Sequence, residues 1–507
     1  STAPGSGAAE PQPADTDKAA AGESKTDPKG ESKAAGKAPA VRAVIVTAPE
    51  WTEDGRRAAV QIRTVDNKDR WLATVDLDGF RLVSRHRLTD NAWVTWDHGD
   101  FGWLRDNTTL YFLSEESGYS HLYTASARDG AIRQLTRGKF EVGGLVPSRD
   151  GRYIYYRANL SHPGQYDIWR VATETGKAEQ LTHLGGLTDF RLSLDEGQLL
   201  LDHSTIAHHD ELYVQPNRPG AEALQITDTL SAAYRAKDWV LPDIVPVPSS
   251  HGDAPIYARV YTPRGFDPHA AAKNPAVVFI HGAGYLQDAH YGWSYYLHEF
   301  MFSTLLTEHG YVVMDMDYRG SAGYGRDWRT AIYRQMGHPE LEDLADGVRW
   351  LALYKNVDPR RVGAYGGSYG GFLTLMALFR DPHLFAAGAA LRPVTDWAHY
   401  NDEYTSAILN TPAIDPQAYE RSSPIEFAAG LDRPLLICHG VEDDNVFFQD
   451  TVRLVQRLIE LGKEDFETAI YPVEPHGFTR ASSWLDEYRR IWKLFESHLR
   501  VPGATAN

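Results

Sequence analysis

Three side chains that together could carry out acyl transfer occur in a fixed chain order: a serine, then an acid, then a histidine. Ser368 lies in Gly366-Gly367-Ser368-Tyr369-Gly370, a G-x-S-x-G pattern that follows a short apolar run from Val362 and precedes an amphipathic run over residues 372–379. Strand, sharp turn and helix in that order hold a serine exposed on a strained backbone, and the glycines beside it avoid clashes with both elements. A serine hydroxyl is a weak nucleophile at neutral pH, so it needs a base, and the base needs an orienting carboxylate. In the hydrolase order the acid follows a later strand and the histidine follows the next one. The strand-like run 435–438 leads into His439-Gly440-Val441-Glu442-Asp443-Asp444-Asn445-Val446, and the run 468–471 leads into Pro472-Val473-Glu474-Pro475-His476-Gly477. A tetrahedral oxyanion needs donors in place before its charge develops. The N–H of Tyr369 is one candidate, and Gly282 or Ala283 is a second, from the small-residue loop His281-Gly282-Ala283-Gly284 after the apolar run 276–280. Neither a metal-ligand spacing nor a phosphate loop appears, so the pattern implies no cofactor.

These groups need a scaffold, and residues 236–502 supply the pattern for one. Continuous apolar runs at 276–280 and 311–316, of the kind expected in a parallel sheet covered on both faces, alternate with amphipathic runs at 295–306, 341–353, 451–461 and 484–499. The pattern predicts a doubly wound α/β domain, reached through a proline-rich lead with Pro242, Pro246 and Pro248.

Residues 41–235 read differently, as short β-rich runs between turn signals. Leu88-Thr89, Leu135-Thr136, Leu181-Thr182 and Ile226-Thr227 recur at spacings of 47, 46 and 45 residues. Turn-like acids precede them at Asp54, Asp106, Asp150 and Asp195. A period near 45 residues with about four strands per unit predicts β-propeller blades, against the alternative of a sandwich of unrelated hairpins. Four blades lie at the lower limit for a closed propeller, so the reading allows an incomplete one and a chain that is the C-terminal part of a longer protein.

Residues 1–40 contain no hydrophobe larger than alanine and are expected to form a disordered tail or linker. The net charge of −17 without a basic stripe argues against nucleic acid and anionic membrane as partners. No apolar stretch approaches the roughly 18–20 residues that span a bilayer. The single cysteine, Cys438, sits in an apolar run and reads as core. Localisation stays open: a leader removed before Ser1 would point to the periplasm or secretion, and otherwise the cytoplasm. Homodimerisation is likewise open.

Residues from about 240 to 500 resemble the catalytic domain of the prolyl oligopeptidase family of serine peptidases, and the order of blades then hydrolase fits that family. The resemblance rests on Gly366-Gly-Ser-Tyr-Gly-Gly371, His439-Gly-x-x-Asp-Asp-Asn-Val446, Asp317-Tyr-Arg-Gly-Ser-x-Gly-Tyr-Gly325 and His476-Gly477. It implies Asp443 as the acid of a Ser368, Asp443, His476 triad and sets Asn445 where the dipeptidyl-peptidase branch contacts substrate. Residues 394–404 are similar to the S1 segment of dipeptidyl peptidase IV. The resemblance implies that Val394, Trp397, Tyr400 and Tyr404, with Tyr369 and Val446, enclose a proline ring. Two departures stand out. His281 occupies the place where that branch has an oxyanion tyrosine, in a loop closer to the acylaminoacyl-peptidase branch. The branch's pair of glutamates for the substrate amine has no counterpart, and Glu115-Glu116 resembles a later blade motif.

The expected activity is therefore hydrolysis of short peptides through an acyl-enzyme, dipeptidyl-peptidase-like, after proline or alanine. An acylaminoacyl peptidase or esterase of the same fold is the first alternative. A catalytically inert propeller interaction protein is the second.

Overall fold

Four antiparallel sheets follow one another along the first part of the computed structural model, which describes residues 42–252 and 254–500. The tail expected over residues 1–40 lies outside the described residues. The first sheet joins Val44–Val46, Ala58–Thr64, Asp69–Asp76 and Arg81–Thr89, with Glu50–Trp51 beside Ala58–Thr64. The second runs through Phe101–Trp103, Thr109–Ser114, His121–Ser126 and Ile132–Gln134. Val142–Pro147, Tyr153–His162, Gln165–Ala172 and Ala178–Gln180 make the third, and Leu187–Leu192, Gln198–Thr205, His208–Pro216 and Leu224–Gln225 the fourth. One parallel pairing, Tyr166 with Leu187, links the last two. These are propeller blades in series, not a sandwich.

The repeated threonine has a structural cause. Its hydroxyl oxygen accepts the backbone N–H of the neighbouring strand: Leu122 to Thr136 at 2.9 Å, Ile168 to Thr182 at 2.9 Å and Leu212 to Thr227 at 2.8 Å. In the first blade Thr89 instead donates to Asp69 at 2.6 Å. Each threonine thus satisfies a polar group where the strand ladder ends. The turn acids act within their own hairpins, with Asp106, Asp150 and Asp195 accepting the N–H of Thr108, Arg152 and Gly197 at 2.9, 3.0 and 3.0 Å.

The second part is an eight-stranded sheet of Asp243–Val247 (β1), Ile256–Tyr261 (β2), Asn274–Ile280 (β3), Val312–Met316 (β4), Val357–Gly367 (β5), Ala387–Leu391 (β6), Leu435–Gly440 (β7) and Phe466–Tyr471 (β8). Its order is β1-β2-β4-β3-β5-β6-β7-β8, antiparallel up to the β2/β4 pair and parallel beyond it. The proline-rich lead forms β1, and Pro246 is tolerated there because an edge strand has one side without ladder partners. Helices Leu297–Glu308 (α1), Pro339–Tyr354 (α2), Tyr369–Arg380 (α3), Gln449–Glu460 (α4) and Ala481–Leu499 (α5) cover the sheet. Strand alternation decides which face each residue serves. Ala276, Val278 and Ile280 pack with apolar residues of α2, α3 and α4, whereas Val277 and Phe279 pack with Phe300 of α1 and Phe495 of α5. Cys438 is buried in the second of these cores. This is the α/β-hydrolase architecture. Among the described residues no helix is long and apolar enough to cross a membrane.

The blades bind the loops at the C-terminal edge of the sheet. Arg329 pairs with Glu115 at 2.8 Å, Asn159 donates to the Gly323 carbonyl at 2.9 Å, and the Tyr166 hydroxyl donates to Gln287 at 2.9 Å. The covered segments, 284–293 and 317–333, are those that flank the candidate site.

Candidate active site

Ser368 sits between β5 and α3 with φ 57° and ψ −116°, a left-handed backbone that costs a non-glycine residue about 1–3 kcal/mol. The surroundings enforce it. The Ser368 N–H donates to the Leu391 carbonyl at 2.8 Å, and its carbonyl accepts from Phe372 N–H at 2.9 Å. A Cβ on Gly366 or Gly370 would overlap the Ile280 carbonyl oxygen, so β3 can end against this turn only because both are glycine.

The loop after β7 turns Asp443 inward and leaves Glu442 and Asp444 exposed. Asp443 Oδ2 lies 2.7 Å from His476 Nδ1 and 3.2 Å from His439 Nε2. Its Oδ1 accepts the N–H groups of Asn445 and Val446 at 3.0 and 2.9 Å. Burial opposes ionisation of this carboxyl, but the bonds from His439 and His476 outweigh it and hold the group well below the usual carboxylate range. The loop after β8 is anchored by Glu474, which accepts from Thr479 N–H at 2.7 Å and the Ser483 hydroxyl at 2.6 Å. With its Nδ1 facing Asp443, His476 keeps Nε2 as an acceptor. Burial lowers its affinity for a proton, partly offset by the Asp443 bond.

On the opposite side, His281 is fully buried, stacked on Tyr318 at 4.3 Å and bonded to Ser321 Oγ at 3.0 Å, so it supports the loop instead of facing substrate. Ala283 has φ 40°. The Gly282 N–H donates to the Tyr296 hydroxyl at 2.8 Å. A Cβ built on Gly282 would lie 3.2 Å from that hydroxyl and 3.6 Å from Ser368 Cβ, so the phenol stands close to the elbow. Among the described residues the proton of Tyr296 has no acceptor.

The predicted S1 residues come together. The Trp397 ring meets those of Tyr369, Tyr400 and Tyr404 at 5.7, 5.5 and 6.0 Å, and Val394 and Val446 are buried in the same core. Tyr400 donates to Asn445 Oδ1 at 2.7 Å. Beyond Tyr404 the aromatic surface continues to Tyr285 and Trp96, at 6.0 and 6.2 Å. There a cavity of about 280 Å³ opens between blades and hydrolase, lined by Asp97, His98, Glu141, Tyr285 and Arg329 among others. Glu115 and Glu116 are both engaged, with Arg329 and with His86 at 2.7 Å.

Sequence reasoning missed Tyr296, His439 and Glu340. His439 was visible in its motif, but not as a second partner of Asp443. The Glu340 carboxyl accepts the Tyr369 hydroxyl at 2.6 Å; Pro339 marks the start of its helix without indicating where the acid points.

Comparison with known proteins agrees with the fold. Residues 297–501 match the model of the prolyl oligopeptidase family, and residues 24–209 match that of the dipeptidyl peptidase IV N-terminal region. The chain is 28% identical to a probable dipeptidyl-aminopeptidase B of Talaromyces marneffei, over 87% of this chain and 51% of that protein. It is 26% identical to a probable dipeptidyl peptidase 4 of Aspergillus flavus, over 83% of this chain and 58% of that one. The chain thus spans about half the length of the curated relatives it matches. The crystal structure of Porphyromonas gingivalis dipeptidyl peptidase 4 shares the fold with a TM-score of 0.81 at 24% identity, covering 91% of this chain and 65% of that one.

Proposed function

We propose that this chain, which belongs to the prolyl oligopeptidase family, is a serine peptidase that cleaves short peptides after proline or alanine. The observation that carries this reading is the 2.7 Å contact between Asp443 and His476 Nδ1, in a chain that also holds an elbow serine in a left-handed conformation. In this mechanism His476 Nε2 takes the Ser368 proton as Oγ attacks the scissile carbonyl. The imidazolium then protonates the leaving amine, and water repeats the sequence on the acyl-enzyme. Asp443 holds the tautomer and stabilises the cation. The oxyanion receives the Tyr369 N–H and the Tyr296 hydroxyl, with the Gly282 N–H polarising that phenol from behind. A proline ring is compact and apolar, which suits the rigid aromatic box around Trp397. The carboxylates lining the neighbouring cavity suit a substrate amine, and the blades restrict entry to small or unfolded peptides.

A second reading, an acylaminoacyl peptidase or esterase, draws support from Glu115 and Glu116, whose carboxylates are already bound to Arg329 and His86. Hydrolysis of Gly-Pro, acetyl-alanyl and short ester p-nitrophenyl or p-nitroanilide substrates tests both. Turnover of Gly-Pro with Ser368→Ala inactive is the expected result. Turnover of the blocked substrate alone overturns the dipeptidyl reading, and failure of a fluorophosphonate to label folded protein at Ser368 supports the inert interaction protein.

A further inference from the structure

Glu340 is fully buried, yet no guanidinium or ammonium group bonds its carboxylate among the described residues. Its two partners are the Tyr369 hydroxyl at 2.6 Å and the Gly337 N–H at 2.9 Å. Burying a carboxylate on a phenol and one amide is costly where an aliphatic side chain would simply pack, and its place in the first turn of α2 offsets only part of that cost. The phenol it holds belongs to the residue next to Ser368. That ring is 3% exposed, lies parallel to Tyr318 at 6.3 Å, meets Trp397 at 5.7 Å and rests against Gly284, where a Cβ would come within 2.8 Å.

We infer that Glu340 is a positioning residue for substrate selection: by accepting the Tyr369 hydroxyl it locks the ring that walls the P1 box. The inference rests on the peptidase reading above. Packing alone leaves an aromatic ring free to tilt within its neighbours' tolerance; a short bond at its far end fixes the tilt and so the width of the slot. A fixed slot rewards a flat ring over a smaller side chain, because alanine gains little from walls that cannot close on it.

The bond also has a protonation dependence. Burial, opposed by the Tyr369 and Gly337 bonds, pushes the Glu340 carboxyl up to about 7. Tyr369, Tyr318, Tyr404 and Arg380 face it from other elements, and Asp343, itself paired with Arg319, lies on its own helix. An ionised carboxylate is the stronger acceptor, so selectivity for proline should rise as pH passes through this range.

The test is the ratio of kcat/KM for Gly-Pro- over Gly-Ala-p-nitroanilide in the whole chain. Glu340→Ala should lower the ratio about tenfold, mainly through KM for the proline substrate, while Glu340→Gln, which keeps an acceptor, stays within about twofold and loses the pH dependence. Tyr369→Phe breaks the same bond with the ring retained, so it should match Glu340→Ala, and the double variant should add nothing; this variant decides the matter if Glu340→Ala does not fold. Ratios unchanged in every variant, or independent additive effects, overturn the inference and leave the peptidase reading standing. A wild type that cleaves neither substrate overturns both.

Discussion

Tyr400 and Asn445 join the aromatic wall to the acid loop: the Tyr400 hydroxyl donates to Asn445 Oδ1 at 2.7 Å, two residues from the carboxylate that holds His476. In the proposed peptidase the aromatic box and the Asp443–His476 pair are therefore not independent modules. Tyr400→Phe should raise KM severalfold, and a double-mutant cycle with Asn445→Ala should return a coupling of about 1 kcal/mol in kcat/KM. Strict additivity would separate the two.

Tyr296→Phe removes the free phenol donor at the elbow while keeping its ring, which packs edge-on against Phe279 at 5.1 Å. Because an oxyanion donor acts on the transition state, kcat should fall on the order of 10²-fold with KM little changed and thermal stability retained. An unaltered kcat assigns the second donor elsewhere.

The pH profile follows from His476. As the proposed base it must be neutral, and burial lowers its pKa from the usual value of 6.5, against the pull of Asp443. The acidic limb of kcat/KM should therefore have its midpoint below pH 6.5, and activity should persist into mildly acid solution. Asp443→Asn should cost about 10⁴-fold in kcat, because the imidazole loses its oriented tautomer.

Glu487, on α5, is buried behind β6 with Arg392 at 3.7 Å and with no hydrogen bond to either carboxylate oxygen among the described residues. Burial pushes its carboxyl up to about 7 despite Arg392. A raised folded-state pKa means the folded form binds the proton more tightly, so this group's contribution is full at low pH and is lost between about 4.5 and 7. Glu487→Gln should accordingly stabilise the protein at pH 8 relative to pH 5, on the order of 1–3 kcal/mol by urea unfolding. An equal effect at both pH values would remove the assignment.

The sequence reveals local features well and distant ones poorly. The elbow can be read because strand, glycines and helix are contiguous, and the steric demand at Gly366 and Gly370 falls on neighbouring backbone. The blades can be read because a threonine recurs near the end of each repeat, accepting the neighbouring strand's N–H in three of the four. The proline-rich lead marks a change of pattern without revealing its own strand, since Pro246 is compatible with an edge strand such as β1. Choosing Asp443 over Glu442 and Asp444 required a family resemblance, because the turn that buries the first and exposes the others depends on His439 reaching across it. Tyr296 and Glu340 left no local trace: each acts through a contact 14 or more residues away, fixed only when the sheet forms.

In three of the four blades the threonine clasp closes the unit on itself, with the bond made inside the repeat and not between repeats. A gene that gains or loses a whole period leaves every surviving clasp intact, because each spans only 14 or 15 residues of its own repeat, and only a break inside that span severs one. The threonine bonds therefore place no limit on the number of blades, whereas the contacts of Glu115, Asn159 and Tyr166 with the hydrolase loops tie the second and third blades to their places.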